Sequence, residues 1–446
     1  MKASINSLLF FVAFGSTQIS PNESTANPAC AALPQDINLV NQTYVLPDPF
    51  TFLNGTPVDS AAAWSCRAAQ IKSLFQRYEL GDKPARPPVL TGQFNNATGT
   101  LNITAGLDAT NTVTWSVNVS YPASNTTVGR TGPVPAVIAY GGLSIPRPDG
   151  AAVILFDNSA VGVQNSASSR GQGLFYNLYG SNATAGALMA WAWGTSRIID
   201  VITDNPQLNI DPTRIAVTGC SRNGKGAMVA GAFDERIALT LPQESGSGGD
   251  ACWRISRDML VNDNLLTQTA QEIITENTWY SKSFDTFGAT NYSVGTLPVD
   301  HHELAGVIAP RGLYSTSNTD FLWLGDQSSF DCMTTANKIY SALGISDRHG
   351  FSQDGNHAHC TFPKDQVPEI QAFYKRFLFG DNSANTSILR TTGNWTYNAT
   401  WAPWTVPKFV LANGTMPVTV SLGSSGMIPV TVLVSAVLGA IATTLL

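Results

Sequence analysis

Arg214-Ile-Ala-Val-Thr218 runs into Gly219-Cys-Ser-Arg-Asn-Gly-Lys-Gly226, and Ala227-Met-Val-Ala-Gly-Ala-Phe233 follows. An apolar run, a tight turn bounded by glycine with Ser221 at its tip, and a helix-forming run make the strand–elbow–helix pattern of α/β-hydrolases. Such a turn strains the serine backbone and lifts its hydroxyl clear of the sheet. Small neighbours let the strand and helix approach. Asn223 stands where G-x-S-x-G expects its second glycine. Taken alone, a Gly-x-Ser beside a strand also describes an ordinary βα turn, so the surrounding chain has to decide.

Outward from the elbow, strands and helices alternate. Ala136-Val-Ile-Ala-Tyr140 and Ala152-Val-Ile-Leu-Phe156 read as buried strands, and residues 185–203 as a long helix. Ile237-Ala-Leu-Thr-Leu241 reads as a strand ending at Pro242-Gln243-Glu244. Residues 251–290 look helical, 306–314 lead into a further strand, 333–343 form a helix and 366–378 a closing helix. Before them, residues 61–80 are helical and 89–121 alternate as an antiparallel meander. The pattern predicts an α/β fold of the α/β-hydrolase type: a mostly parallel sheet in a three-layer αβα sandwich, with residues 21–410 as one large catalytic domain.

The 446 residues are 43% hydrophobic and 13% charged, with a net charge of −6. This is ample for a large core, and the lack of a basic patch argues against a nucleic-acid partner. Residues 1–20 start Met-Lys and continue apolar, as a secretory signal peptide does, with cleavage expected between Gly15 and Ser20. Asn-x-Ser/Thr sequons recur, among them Asn41, Asn102, Asn118, Asn291 and Asn398. Six cysteines form an even set, Cys30, Cys66, Cys220, Cys252, Cys332 and Cys360. In an oxidising compartment they predict three disulfides, with 15 pairings allowed. Residues 427–446 are apolar and uncharged and follow a polar spacer, 411–426. A glycolipid-anchor (GPI) signal, to be removed, fits this better than an uncleaved tail anchor; Asn413-Gly-Thr and Ser424-Ser-Gly are both attachment-site candidates. The expectation is a secreted, monomeric glycoprotein tethered at the cell surface.

A serine nucleophile needs a base, and the base an acid to orient it. There are five histidines, and α/β-hydrolases place the base late, on a loop. That leaves His357 and His359. Cys220 precedes Ser221 and Cys360 follows His359. If Ser221 and His359 meet, these cysteines fall within disulfide range and staple base to nucleophile, which favours His359. A metal site from His357, His359 and Cys360 is the weaker reading, lacking a full ligand set. For the acid, Glu244 sits at a strand end, with Asp320 and Asp326 as rivals after a later strand. Arg222 follows the nucleophile, where the backbone N–H faces the oxyanion and the guanidinium adds charge. Lys225, four residues on, lies on the same side of the helix start as Ser221; a solvated surface lysine is an equal reading on spacing alone.

Gly219-Cys-Ser-Arg-Asn-Gly-Lys-Gly226 resembles the motif of the fungal glucuronoyl esterases, carbohydrate esterase family 15, which share the Asn in place of glycine. Ser169-Arg-Gly-Gln-Gly173, Leu241-Pro-Gln-Glu-Ser-Gly246, Val299-Asp-His-His302, Trp323-Leu-Gly325 and His359-Cys-Thr-Phe-Pro363 extend the likeness over roughly residues 28–405. The resemblance implies a Ser221, His359 and Glu244 triad, Arg222 at the oxyanion, and Lys225, Gln268, Glu276 and Trp323 on the sugar. Gln268 and Glu276, eight apart, are expected on one side of a helix. It also implies the pairings Cys30–Cys66, Cys220–Cys360 and Cys252–Cys332. The implied activity, needing no metal or organic cofactor, is hydrolysis of esters between 4-O-methyl-glucuronic acid of glucuronoxylan and lignin alcohols. Phe321-Leu322 depart from the more usual acidic residue before Trp323. A deacetylating or feruloyl carbohydrate esterase, and an inactive surface-anchored carbohydrate-binding protein, are the rival functions.

Overall fold

Alternate residues of the central strands belong to two different apolar cores. Ala136, Ile138 and Tyr140 pack into one core with Ile215, Val217 and Ile237. Val137, Ala216, Leu239 and Leu241 pack into the other. Successive side chains of a strand point to opposite faces, so both faces of this sheet are covered. The helix Ala187–Asp204 and the helix Arg222–Phe233 bury their apolar residues in the first core, and Ile370, Phe373, Tyr374 and Leu378 of the closing helical segment lie in the second. This is the expected three-layer αβα sandwich.

The structure is a computed structural model that describes residues 30–39, 42–123 and 132–409. The expected signal peptide at 1–20, the spacer at 411–426 and the apolar tail at 427–446 lie outside the described residues. No helix among the described residues is long and apolar enough to cross a membrane.

The sheet has ten strands: β1 Val89–Asn95, β2 Thr100–Gly106, β3 Thr112–Ser120, β4 Val134–Tyr140, β5 Ala152–Phe156, β6 Ile210–Cys220, β7 Ile237–Gln243, β8 Gly312–Asn318, β9 His349–Asp354 and β10 Leu389–Thr391. Their order is β1-β2-β3-β5-β4-β6-β7-β8-β9-β10. β1 to β3 form the antiparallel meander, and β3 joins β5 antiparallel. From β5 to β10 every pair is parallel. In open parallel sheets ligands bind outside the carboxyl ends of the strands. The carboxyl ends of β4, β6 and β7 here carry residues 140–144, Ser221 and Glu244.

Two local expectations change, and one strand is unforeseen. Residues 251–290 are not one helical stretch: short helices span Trp253–Val261, Ala270–Glu276 and Asp285–Gly288, joined by irregular chain. The helix expected at 333–343 already starts at Asp326 and ends at Ala342. β9, a buried strand of sequence His-Gly-Phe-Ser-Gln-Asp, carries no apolar run that announces it.

Candidate functional site

Ser221 sits between the end of β6 and the start of the helix Arg222–Phe233, at φ 59° and ψ −131°. Its backbone N–H donates to the carbonyl of Gln243 at 2.9 Å, which ties the elbow to the end of β7. Gly219 has to be glycine, because a Cβ there would lie 2.5 Å from the carbonyl oxygen of Asn223. Asn223, the departure from G-x-S-x-G, is specifically housed. Its Oδ1 accepts from Asn158 Nδ2 at 2.9 Å. A Cβ on Gly141, at the end of β4, would lie 2.6 Å from its Nδ2. The glycine missing from the elbow is thus matched by one across the cleft.

Glu244 is the next residue after β7 and is 1% exposed. Its Oε2 lies 2.7 Å from His359 Nδ1, and its Oε1 accepts the Cys360 backbone N–H at 3.2 Å. With Nδ1 committed to a carboxylate, the other ring nitrogen of His359 is directed elsewhere. Nε2 has no hydrogen-bond partner. Cys220 and Cys360 form a disulfide with a Cα–Cα distance of 5.7 Å. The residue before the serine is therefore bonded to the residue after the histidine.

Backbone strain collects here. The described non-glycine residues with positive φ are Asn209, Asn264 and Asn356, plus Ser221, Glu244 and Cys360. Asparagine tolerates that region; Ser, Glu and Cys do not, at a cost of about 1–3 kcal/mol each. All three of these strained positions belong to the same small constellation.

The rival candidates are elsewhere. Asp320 Oδ2 accepts the Asn356 N–H at 2.5 Å, and Asp326 Oδ1 accepts the Gln327 N–H at 2.8 Å at the start of its helix. His357 stands beside the acid: its Nδ1 accepts from Asn318 Nδ2 at 3.2 Å and lies 3.8 Å from Glu244 Oε1. The metal reading of His357, His359 and Cys360 fails on chemistry, because Cys360 is disulfide-bonded and offers no thiolate. Cys220, His359 and Cys360 do bring donor atoms within 4.8 Å of one another. Both sulfurs are consumed in the disulfide, so neither is a thiolate ligand. The other disulfides are Cys30–Cys66 and Cys252–Cys332.

Lys225 is buried. Its Nζ donates to the carbonyls of Ser245 at 2.5 Å and Ser247 at 2.7 Å, and lies 5.8 Å from the centre of the Trp279 ring. It is no solvated surface lysine. Two of its three protons hold the turn after Glu244, leaving one for a ligand. Burial lowers its pKa to about 8, against the opposing pull of Asp250 and Glu276. Asp250, its own pKa raised by burial, holds the other side of that turn, accepting the Gly246 N–H at 2.7 Å and the Ser315 hydroxyl at 2.9 Å.

Gln268 and Glu276 do not share a helix face: Gln268 precedes Thr269, the N-cap of the helix Ala270–Glu276. They meet nonetheless, with Gln268 Nε2 donating to Glu276 Oε2 at 2.6 Å. The backbone N–H of Gln268 donates to the carbonyl of Trp323 at 2.9 Å. Trp323 is 43% exposed, and its ring lies 5.3 Å from that of His359 at 74°. Phe321 also meets His359, at 5.5 Å. Sequence reasoning left Phe321, Asp250 and the Asn158–Asn223–Gly141 set without roles. Only the aromatic spacing of Phe321 and Trp323 was there to signal the first.

A cleft of about 430 Å³ opens at the elbow, lined by residues 140–144 on one side and by 220–223, His359 and Cys360 on the other. Arg222 is exposed at its edge, the first residue of the helix, where backbone N–H groups have no intrahelical acceptor.

This fold and this site define a carboxylic ester hydrolase of the α/β-hydrolase class. A family model for fungal glucuronyl esterases matches residues 104–344. The 4-O-methyl-glucuronoyl methylesterase of Phanerochaete carnosa is 52% identical over 370 residues, covering 81% of this chain and 88% of that protein. The catalytic domain of the Hypocrea jecorina glucuronoyl esterase superposes with a TM-score of 0.79 at 48% identity, covering 85% of this chain and all of that one. A mutant of the Sporotrichum thermophile glucuronoyl esterase, solved in complex with methyl 4-O-methyl-β-D-glucopyranuronate, superposes with a TM-score of 0.78 at 39% identity, covering 84% and 99%. The chain belongs to the fungal glucuronoyl esterase family.

Proposed function

We propose that the protein cleaves esters between 4-O-methyl-D-glucuronic acid of glucuronoxylan and lignin alcohols, through a glucuronoyl-enzyme on Ser221. The observation that carries this reading is the His359 imidazole, held at Nδ1 by buried Glu244 and beside the elbow serine through the Cys220–Cys360 bond. Ser221 Oγ attacks the uronate carbonyl while His359 Nε2 takes its proton. Glu244 stabilises the imidazolium that forms. The Arg222 N–H and guanidinium meet the oxyanion. His359 then protonates the leaving alcohol, and water, deprotonated by the same nitrogen, releases the uronic acid and regenerates Ser221.

In this reading Lys225, Gln268 and Glu276 bind sugar hydroxyls and Trp323 lies against the sugar ring. None of the four is among the residues that line the cleft described above. Residues 1–20 direct secretion and residues 411–446 a glycolipid anchor on a monomeric enzyme; release by a phosphatidylinositol-specific phospholipase tests the anchor.

The decisive experiment compares methyl 4-O-methyl-glucuronate with acetylated xylan as substrates. The expected result is hydrolysis of the glucuronate ester, its abolition in Ser221→Ala, and labelling of Ser221 by a fluorophosphonate. Full activity in Ser221→Ala overturns the mechanism, and preference for the acetyl ester overturns the substrate.

A further inference from the structure

The turn after Glu244, residues 245–250, offers its carbonyls to buried donors from three separate parts of the chain. Lys225 Nζ, from the helix behind the elbow, meets those of Ser245 and Ser247. The Tyr280 hydroxyl donates to that of Gly248 at 2.6 Å. Beyond it, His301 Nδ1 lies 2.9 Å from the carbonyl of Gly249. A carbonyl only accepts, so Nδ1 carries a proton. The other ring nitrogen, Nε2, lies 2.7 Å from Glu79 Oε1, and both side chains are fully buried. Glu79 thus stands to His301 as Glu244 stands to His359, with the ring nitrogens exchanged. Glu244 holds Nδ1 and leaves Nε2 for the ester; Glu79 holds Nε2 and leaves Nδ1 for the backbone. We propose that His301, backed by Glu79, is a positioning residue for the sugar site. It fixes the far end of the acid turn and, through the Ser245 and Ser247 carbonyls, sets where Lys225 presents its remaining proton. The proposal rests on the reading of Lys225 as a sugar ligand and supplies what holds that lysine in place.

The pair holds one geometry. His301 opens the helix His301–Gly306, and the N-cap Asp300 accepts its backbone N–H at 2.8 Å. The rings of Trp253 and Phe75 meet the imidazole edge-on, at 5.5 and 5.8 Å. Burial by itself would strip the imidazole of its second proton. The Glu79 carboxylate outweighs burial and raises the pKa above the ordinary histidine value. A charged donor binds a carbonyl more strongly than a neutral one. The turn it grips is also tightly enclosed, since a Cβ on Gly248 would collide with Tyr280 and Trp253.

The effect has a direction. At the near end of the turn, the Glu244 N–H donates to the Thr316 carbonyl at 2.6 Å, and the Glu244 carboxylate is fixed by His359 and Cys360. The acid therefore has anchors of its own outside the turn. Both carbonyls that take protons from Lys225 belong to the turn itself, and Ser247 is close in the chain to Gly249. A loosened far end reaches the lysine before it reaches the acid.

The test compares two substitutions that keep different nitrogens. The amide nitrogen of asparagine falls where Nδ1 lies, and that of glutamine where Nε2 lies. His301→Gln is expected to raise KM for methyl 4-O-methyl-glucuronate about ten-fold, the order expected when one charge-assisted hydrogen bond is lost. The rate at which a fluorophosphonate labels Ser221, which needs no sugar contact, should stay nearly unchanged. His301→Asn should recover most of the KM. Since KM does not depend on the fraction of folded enzyme, destabilisation alone does not produce this pattern. Lys225→Met should itself raise KM, and His301→Gln added to it should raise KM no further, because the two act through one contact. Equal KM in the Gln and Asn variants, or a rise that adds in full to that of Lys225→Met, overturns the proposal while leaving the hydrolase reading intact. So does labelling that slows by the same factor as KM rises, because Glu244 would then move with the turn. If Lys225→Met leaves KM unchanged, the reading of Lys225 as a sugar ligand falls and the proposal falls with it.

Discussion

Glu244 and His359, 115 residues apart in the chain, share a 2.7 Å contact between Oε2 and Nδ1, while the other oxygen of the same carboxylate accepts the backbone N–H of Cys360. One buried acid thus orients both the imidazole and the strained backbone that carries it. Glu244→Gln keeps the shape but puts an amide against Nδ1. The expected result is a drop in kcat of up to ~10⁴, the size seen when a triad acid becomes an amide and the histidine takes the wrong tautomer. Steady-state kinetics on methyl glucuronate, with circular dichroism to confirm folding, checks it. A loss below ten-fold would remove Glu244 from the triad.

The Cys220–Cys360 bond should matter more for activity than for stability. A disulfide typically contributes about 2–4 kcal/mol, somewhat more when it closes a longer loop. Replacing Cys220 and Cys360 together by alanine, or Cys30 and Cys66 together, should lower the melting temperature in both cases, moderately more for the first pair, whose sequence separation is 140 against 36. The first pair should also reduce kcat at least ten-fold at temperatures where both variants are folded, because it bonds the residue before Ser221 to the residue after His359. Calorimetry with kinetics on the two double variants separates the effects.

Gly141 and Asn223 should couple. Gly141→Ala puts a methyl group 2.6 Å from Asn223 Nδ2, at a φ of +66°. It should lose both stability and activity. Adding Asn223→Gly removes the collision but not the left-handed backbone, so recovery should be partial, short by roughly 1–2 kcal/mol. A double-mutant cycle on unfolding free energies measures the coupling. Simple additivity would show that the two do not press on one another.

Lys225 makes the stability depend on pH in a known direction. Its folded pKa is about 8, below the usual lysine value of 10.5, because burial disfavours the charge. Between these values the unfolded chain holds more protons, so stability rises with pH. Relative to Lys225→Met, the wild type should gain stability as pH climbs from about 8 to 10.5, by roughly 3 kcal/mol at most. Below pH 8 the difference should be flat. Urea unfolding of the two proteins across pH 7 to 10 reads this directly. A difference that falls with pH would reverse the assignment.

Much of the architecture is legible in the chain because its signals are local. Ala136–Tyr140 and Ile215–Val217 are apolar without alternation, as doubly covered strands must be. The Ser221 elbow is announced by its glycines, and the long helix by a helix-length apolar run at 185–203. The adjacency of Cys220 to Ser221 and of Cys360 to His359 carries long-range information in a local form, and it selects His359 over His357. β9 escapes the same reading. His349, Ser352, Gln353 and Asp354 are polar yet buried. Gln353 Nε2 donates to the Asp326 carbonyl at 2.8 Å, and Asp354 receives Arg390 at 2.6 Å. Such partners exist only once the sheet has formed.

What the sequence determined by itself is the parallel αβα sandwich, the serine at its elbow and the histidine stapled to it. Residue types and spacing leave the acid open among Glu244, Asp320 and Asp326, and leave Lys225 between a surface charge and a ligand. Tertiary structure brings Glu244, and neither aspartate, onto His359, and it buries Lys225. A carboxylate's partner depends on the register of β7 against β6 and on where the loop after β9 returns, and no neighbour in the chain encodes either. The same packing takes Lys225 out of water and sets it on the Ser245 and Ser247 carbonyls. Hydrophobic periodicity is a property of one segment; a buried hydrogen bond between polar groups is a property of two, and it appears only when the fold removes the water between them.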